Sequence, residues 1–205
     1  MLDIGCGDGR FHTSIALAEY TGLDPSATSM CRKISPTARV INQQLEQHAQ
    51  SATGYDVVCA FQVLEHVPEP IQFIEMALQC LRPGGLLLLG MPNQLSYVGG
   101  LMNFALNSPP HHLSGWSDEA LRAVELELAL QRIDLRHAPL ENWERELYWM
   151  QRCYRWKVPQ HKRYSPAALW NWLIPMAYIA AKVCARVLPD PKTLQGSTML
   201  WVATR

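Results

Sequence analysis

Residues 1–11 read MLDIGCGDGRF, and this stretch decides the fold. Leu2, Asp3 and Ile4 lead straight into glycines at positions 5, 7 and 9. Such spacing follows a buried strand, because glycines let the chain turn sharply and let a ligand lie against bare backbone. A helix beginning near Arg10 would then aim N–H groups at that ligand. The dinucleotide fingerprint G-x-G-x-x-G requires glycine at position 10, where this chain has Arg10, so a hydride-transfer reading loses ground. Asp24 follows in YTGLDPS, at the carboxyl end of an expected second strand. Ligands of open α/β sheets sit outside the carboxyl ends of strands, and an acid there can accept both hydrogen bonds of a ribose diol.

Working outward, short apolar runs alternate with helical stretches up to about residue 140, the pattern of βαβ units. Strands are expected at Leu2–Ile4, Thr21–Leu23, Arg39–Ile41, Asp56–Ala60 and Leu86–Gly90. PEPIQFIEMALQCLRPGG carries Ile71, Ile74, Leu78 and Leu81 at helical spacing, and SDEALRAVELELAL reads as a helix capped by Ser117 with Leu121, Val124 and Leu128 on one face. A strand near Ile133–Leu135 and a last one in GSTMLWVATR complete the pattern. The expected fold is α/β: a Rossmann-like open sheet of about seven mostly parallel strands, helices on both faces, and a helical insert before the last strand. The expected domains are a core over 1–140, an aromatic and basic helical insert over 141–190, and the final core strand over 191–205.

The charges sum to zero and the pI is near 7.0, so no global field argues for nucleic acid. The distribution is uneven: from Arg145 to Lys192 nine Lys or Arg stand against Glu146 and Asp190. Six cysteines without a C-x-x-C pair suit neither a disulfide framework nor a zinc site, and a reducing cytoplasm is the natural home. The apolar run Ala167–Leu188 is broken by Asn171, Pro175, Lys182 and Arg186 and falls short of a membrane span.

Taken in order, LDIGCGDG, YTGLDPS, YDVVCAFQVLEHVPEP and LRPGGLLLLGMPN resemble the motifs of class I S-adenosylmethionine-dependent methyltransferases of types 11, 12 and 23, over roughly residues 1–135. That resemblance implies S-adenosylmethionine as cofactor, with Gly5, Cys6, Gly7 and Gly9 around its methionyl part, Asp24 on the ribose and Pro25 beside the adenine. It places Phe61 and Gln62 at the sulfonium end and makes Asp3 an organiser of the loop or its ligand. Gln44 and Leu45 stand where many relatives carry an Asp for the adenine. Relatives also carry a helix and the first half of the strand upstream, so the early start predicts a missing N-terminal helix, through truncation or a misassigned start, and an open cofactor site.

Methyl transfer to a hydroxyl needs alignment, exclusion of water and removal of one proton. The candidate bases are His112, His66 and His111. Some relatives hold a divalent metal through a Glu-x-x-Glu-His segment and a later His. Here Gln62 replaces the first acid, which weakens a hard-cation site, so Glu65 and His66 are read as loop anchors and no metal is expected. No NPPY-like tetrapeptide follows the fourth strand, which favours an oxygen acceptor on a small molecule, with a sugar or lipid-linked glycan in view. Trp143, Trp149, Trp156, Arg152 and Arg155 could stack on a sugar, while Trp170, Trp172, Tyr178, Lys182 and Arg186 could lie at a bilayer surface, giving peripheral membrane contact through 167–188. Equally, these aromatics could form the insert's own core. The alternatives to an enzyme of this kind are a non-catalytic binding or partner protein on the same fold and, third, an RNA methyltransferase.

Overall fold

The structure, a computed structural model, describes residues 1–15, 19–27, 31–51, 54–97, 109–153, 169–191 and 194–204. Arg155 and Trp156 lie outside these, as do the side chains of Trp170 and Trp172. Among the described residues eight strands form one open sheet: β1 (Leu2–Ile4), β2 (Tyr20–Leu23), β3 (Cys31–Ser35), β4 (Ala38–Ile41), β5 (Tyr55–Phe61), β6 (Leu81–Pro92), β7 (Gln131–His137) and β8 (Thr198–Thr204), in the order β3-β4-β2-β1-β5-β6-β8-β7. The helices are α1 (Leu45–His48), α2 (Pro70–Cys80), α3 (Asp118–Glu127), α4 (Asn142–Cys153) and α5 (Leu169–Val187). By compactness the chain divides into one unit of Met1–Met91, Asp118–Arg136 and Leu200–Arg205, and another of Pro92–Ser117 and His137–Met199.

In the first unit β1 pairs in parallel with β2 on one side and β5 on the other, so the sheet reverses its strand order at β1. β2–β4 and β5–β6 are parallel too. Central strands covered on both faces read as unbroken apolar runs. Leu2, Val58, Cys59, Leu87 and Leu89 are accordingly sealed from solvent, and each large aliphatic contributes about 1.5–3 kcal/mol by burial. The sheet has one strand more than the expected seven. β3 runs antiparallel to β4 across the two-residue turn at Pro36 and Thr37. Its CRKIS sequence, with two cations and a register irregularity between Lys33 and Ser35, has the character of a protected edge and lacks the apolar run that would mark a strand.

Three further expectations change. The segment after Gly9 is a 3₁₀ turn over Arg10–Ser14, not the start of an α-helix. β6 begins at Leu81 rather than Leu86, pairing Tyr55 with Leu81 before a register shift places Val57 opposite Leu86. In α2, which starts with Pro70 in its first turn, the buried face is Phe73, Ile74, Ala77 and Cys80. Ile71 and Leu78 are only half-buried, because small Ala77 and Cys80 let the helix sit closely on its neighbours. α3 buries Leu121 and Val124 as expected and ends in a Schellman-type turn: the Leu130 N–H donates to the Glu125 carbonyl at 2.9 Å, with Ala129 left-handed at φ 50°.

The second unit has its own small core, where buried Tyr97 and Tyr148 pack with Leu147, Trp149 and Leu194. Trp149 therefore belongs to the insert's core, whereas Trp143 is exposed. Glu144 is buried there because its carboxylate is fully engaged. It accepts from the Ser197 N–H at 2.8 Å, the Glu141 N–H at 2.9 Å and the Tyr97 hydroxyl at 3.3 Å. α5 turns Ala177, Ala181 and Ala185 inward, a row of small side chains that lets it pack tightly on α4.

Candidate functional site: the loop after β1

β1 ends at the point where the sheet order reverses, which is where open α/β sheets bind ligands. The loop that leaves it needs its glycines. Gly5, Gly7 and Gly9 all have positive φ, 72°, 58° and 78°. A side chain on Gly5 would meet Val63 Cγ2 at 2.5 Å, whereas one on Gly7 would point into open space. Gly5 is thus required by packing, and Gly7 keeps a surface bare.

Asp24 ties this loop to the end of β2. Its Oδ2 accepts the Gly7 N–H at 2.7 Å, while Oδ1 accepts the Ser26 N–H at 2.8 Å and the Ser26 hydroxyl at 2.6 Å. Burial alone would raise its pKa, but these donors, with Ser26 foremost, hold the carboxylate below its ordinary range. Other N–H groups of the loop are engaged as well. Gly5 and Cys6 donate to the Leu23 carbonyl, Gly9 to the Cys6 carbonyl, and Arg10 to Asp8 Oδ1. The N–H groups of Gly5, Cys6, Gly7, Gly9 and Arg10 are thus bonded within the protein, and the loop is faced by the Asp24 carboxylate. Such a surface suits ligand hydroxyls and cationic groups better than a pyrophosphate, which needs donors.

Beneath the loop, Asp3 is buried and accepts from the Tyr20 hydroxyl at 2.6 Å and the Cys59 thiol at 3.3 Å. Burial raises its pKa and these donors only partly oppose that. The Cys6 thiol lies against Gly22, where no Cβ would fit. Its pKa is pushed up to about 12, first by burial and then by the charges of Asp3 and Asp24. Pro25 is exposed beside Asp24. Asn42, just past β4, donates to the Ala27 carbonyl at 2.6 Å and so anchors the segment that follows Asp24.

From the other side, β5 delivers Phe61, whose ring meets that of Phe11 edge-on at 4.9 Å and closes over Gly90. Gln62 follows in a left-handed conformation, φ 57°, fixed by its N–H donating to the Gly90 carbonyl at 2.8 Å. A non-glycine residue held there costs of order 1–3 kcal/mol and marks functional turns. At the end of β4, Gln44 is exposed while the side chain of Leu45 is buried.

The structure therefore gathers Asp3, Gly5, Cys6, Gly7, Gly9 and Asp24 into one bonded cluster. Tyr20, Ser26 and Asn42 belong to it and were not singled out in the sequence. Of these only Ser26 carries a local signal, since a serine two residues after an Asp is the spacing of an Asx turn.

Among the proposed bases, His66 is exposed and its Nε2 lies 4.0 Å from Glu65 Oε1. Glu65 is buried in the short 3₁₀ turn Leu64–His66, and burial raises its pKa against the opposing pull of its own backbone and of His66. His111 and His112 belong to the second unit, their rings stacked with centroids 5.2 Å apart.

The chain resembles known proteins in sequence and in fold. Over 94 residues the chain is 37% identical to a ubiquinone biosynthesis O-methyltransferase of Cronobacter sakazakii, and 34% identical to that of Pectobacterium atrosepticum. These matches take in 42% of this chain and 39% of each relative, so the chain spans about two fifths of the curated relatives it matches. Among solved structures, a SAM-dependent methyltransferase from Archaeoglobus fulgidus superposes with a TM-score of 0.58 at 16% identity, covering 100% of this chain and 85% of that one. The plantazolicin methyltransferase BpumL in complex with SAH gives 0.55 at 17% identity, over 100% of this chain and 75% of that one. The [4+2]-cyclase SpnF gives 0.58 at 16%, over 100% and 74%. At such identities these structures establish the fold alone. Residues 1–154 of the 205 match the family described as "Methyltransferase domain", and the chain belongs to that family, on the Rossmann-like fold of the S-adenosylmethionine-dependent methyltransferases.

Proposed function

We propose that the chain binds S-adenosylmethionine over the loop after β1 and transfers its methyl group to an oxygen of a small-molecule acceptor. The observation that carries the reading is the bond between the Gly7 N–H and Asp24, which leaves a bare backbone surface next to a carboxylate. When bound, S-adenosylmethionine supplies a methyl group already activated by its sulfonium. Asp24 would receive the ribose: Oδ2 carries one protein hydrogen bond and retains acceptor capacity, and on Oδ1 the Ser26 hydroxyl gives way to the second ribose hydroxyl. The backbone at Phe61 and Gln62 would line the sulfonium end, and Gln44 would flank the adenine.

Oxygen as the acceptor atom is supported by the likeness to O-methyltransferases and by the lack of an NPPY-like tetrapeptide after β5. The phenolic or alcoholic proton must leave as the methyl arrives, and His66, His111 and His112 are the groups proposed to take it. Replacement of the true base lowers turnover at saturating acceptor and removes the titrating limb of the pH profile, while replacement of the other two leaves both intact.

Titration calorimetry tests the reading. S-adenosylmethionine and its demethylated product should each bind one per chain, Asp24→Asn should weaken both at least tenfold, and Asp8→Asn, on the exposed side of the same loop, should not. Labelled methyl transfer to a panel of phenols, catechols and sugars then tests the chemistry. Tight cofactor binding with no labelled product and no turnover of the cofactor would favour the non-catalytic reading. No binding to a folded sample would sink both.

A further inference from the structure

One face of α5 is uncovered among the described residues. Ala177, Ala181 and Ala185 face α4, but the opposite side exposes Met176 at 71%, Ile179 at 66%, Val183 at 56% and Val187 at 70%. Their spacing of three, four and four residues is that of a single stripe along an α-helix. A solvated helix normally puts charge there. α5 instead has no acidic residue anywhere in LWNWLIPMAYIAAKVCARV, and its two charges, Lys182 and Arg186, are both cations one turn apart.

The two cations lie on one flank of the stripe, since at 100° per residue they fall between the buried alanines and the Ile179–Val183 edge. Lys182 is held there, its ammonium 4.6 Å over the Tyr178 ring, and the Tyr178 hydroxyl donates in turn to Glu146 of α4 at 3.0 Å. The acids near this face are thus engaged on the α4 side: Glu146 with Tyr178, and Asp190 with Arg145 at 2.8 Å. An apolar stripe bordered on one side by cations, with no acid in the helix, complements the boundary between acyl chains and anionic headgroups. α5 does not cross that boundary, for no described helix is long and apolar enough to span a membrane.

We propose that α5 docks the chain on an anionic lipid surface, with Met176, Ile179, Val183 and Val187 in the acyl boundary and Lys182 and Arg186 at headgroup level. The proposal does not depend on methyl transfer, and its readout is binding. In flotation with vesicles of phosphatidylcholine mixed with phosphatidylglycerol, the whole chain should float with the lipid. It should bind pure phosphatidylcholine vesicles more weakly and lose its preference for the mixed ones in high salt. Ile179→Glu with Val183→Glu, at exposed positions that tolerate charge in the folded state, should cut partitioning at least tenfold with an unchanged circular dichroism spectrum. Lys182→Gln and Arg186→Gln should each cost roughly fivefold on the mixed vesicles and leave binding to phosphatidylcholine alone unchanged. Failure of the folded protein to float, or equal flotation of the double Glu variant, overturns the proposal. So does a concentration-dependent dimer in light scattering that the double Glu variant abolishes, because the stripe would then belong to a second copy of the chain.

Discussion

At Gly7 the requirement for glycine has two parts that can be separated. The left-handed backbone disfavours any side chain by roughly 1 kcal/mol, while the space that a Cβ would enter is open. Gly54, at φ 94°, is equally open but lies away from the β1 loop. Gly7→Ala and Gly54→Ala should therefore lose similar stability in denaturant titration, whereas only Gly7→Ala should weaken S-adenosylmethionine binding, by tenfold or more. Equal loss of affinity in both variants would mean that the bare surface at Gly7 is not where the ligand lies. The key residues of the loop were legible because their constraint is local: three glycines and an acid declare a turn within a few positions. Tyr20, which holds Asp3, was not legible, since nothing in YTGLDPS says that a tyrosine at the strand start reaches back across the sheet to residue 3. Asn42 was hidden for the same reason, its partner Ala27 lying fifteen residues earlier.

At the scale of elements, the clearest local conflict is the end of α3. Its terminal turn demands a left-handed residue, and the chain supplies Ala129 where glycine is the usual choice. Ala129→Gly should stabilise the protein by about 1 kcal/mol, read as a rise of roughly 2–4 °C in Tm for a chain of this size. No change would show that the turn relaxes without its left-handed residue. A second element-level prediction concerns α4 and α5, which bring the thiols of Cys153 and Cys184 to 3.9 Å. A small-molecule disulfide reagent should join them by two successive exchanges, releasing its own two thiols, and either Cys→Ser variant should block the product in a mass measurement. Recovery of mixed disulfides alone would show that the helices hold the sulfurs too rigidly to meet. Helices were easier to foresee than their buried faces: periodicity located α2 and placed Ile74 on its inward side, but Phe73, Ala77 and Cys80 complete that side in place of Ile71 and Leu78, because the neighbouring elements that choose the face lie far along the chain.

For the molecule as a whole, stability should depend on pH through a few buried groups of opposite sign. His48 is buried between the Gln43 side chain and the Tyr55 hydroxyl, each 3.0 Å away. Burial, and then the charge of Arg39, lowers its pKa from the ordinary 6.5. The unfolded chain therefore binds this proton more readily than the folded one, and stability falls as the pH drops below about 6.5. Asp24 and Glu144 act in the same direction at lower pH. Their folded pKa values are depressed, so their contribution is present above the ordinary 3.8 and 4.5 and is lost as the pH falls through the folded values. Asp3 and Glu65 oppose them: with raised folded pKa values they contribute fully below 3.8 and 4.5, and that contribution is lost as the pH rises. His48→Gln should flatten the fall in Tm between about pH 7.5 and 5.5. A variant that keeps the wild-type slope would show that His48 binds its proton alike in the folded and unfolded states.

The strand order carries a kinetic consequence. β8, which begins at Thr198, lies between β6, which ends at Pro92, and β7. The far edge of the sheet therefore cannot close until a segment more than a hundred residues from β6 has been captured, and pairings of such separation are slow to form. Trp201, fully buried on β8 with its Nε1 donating to Glu125 at 2.7 Å, takes its place only in that last step. Refolding should therefore leave this indole in water after most of the sheet has assembled, and the closing of the edge sets the time the chain needs to become native.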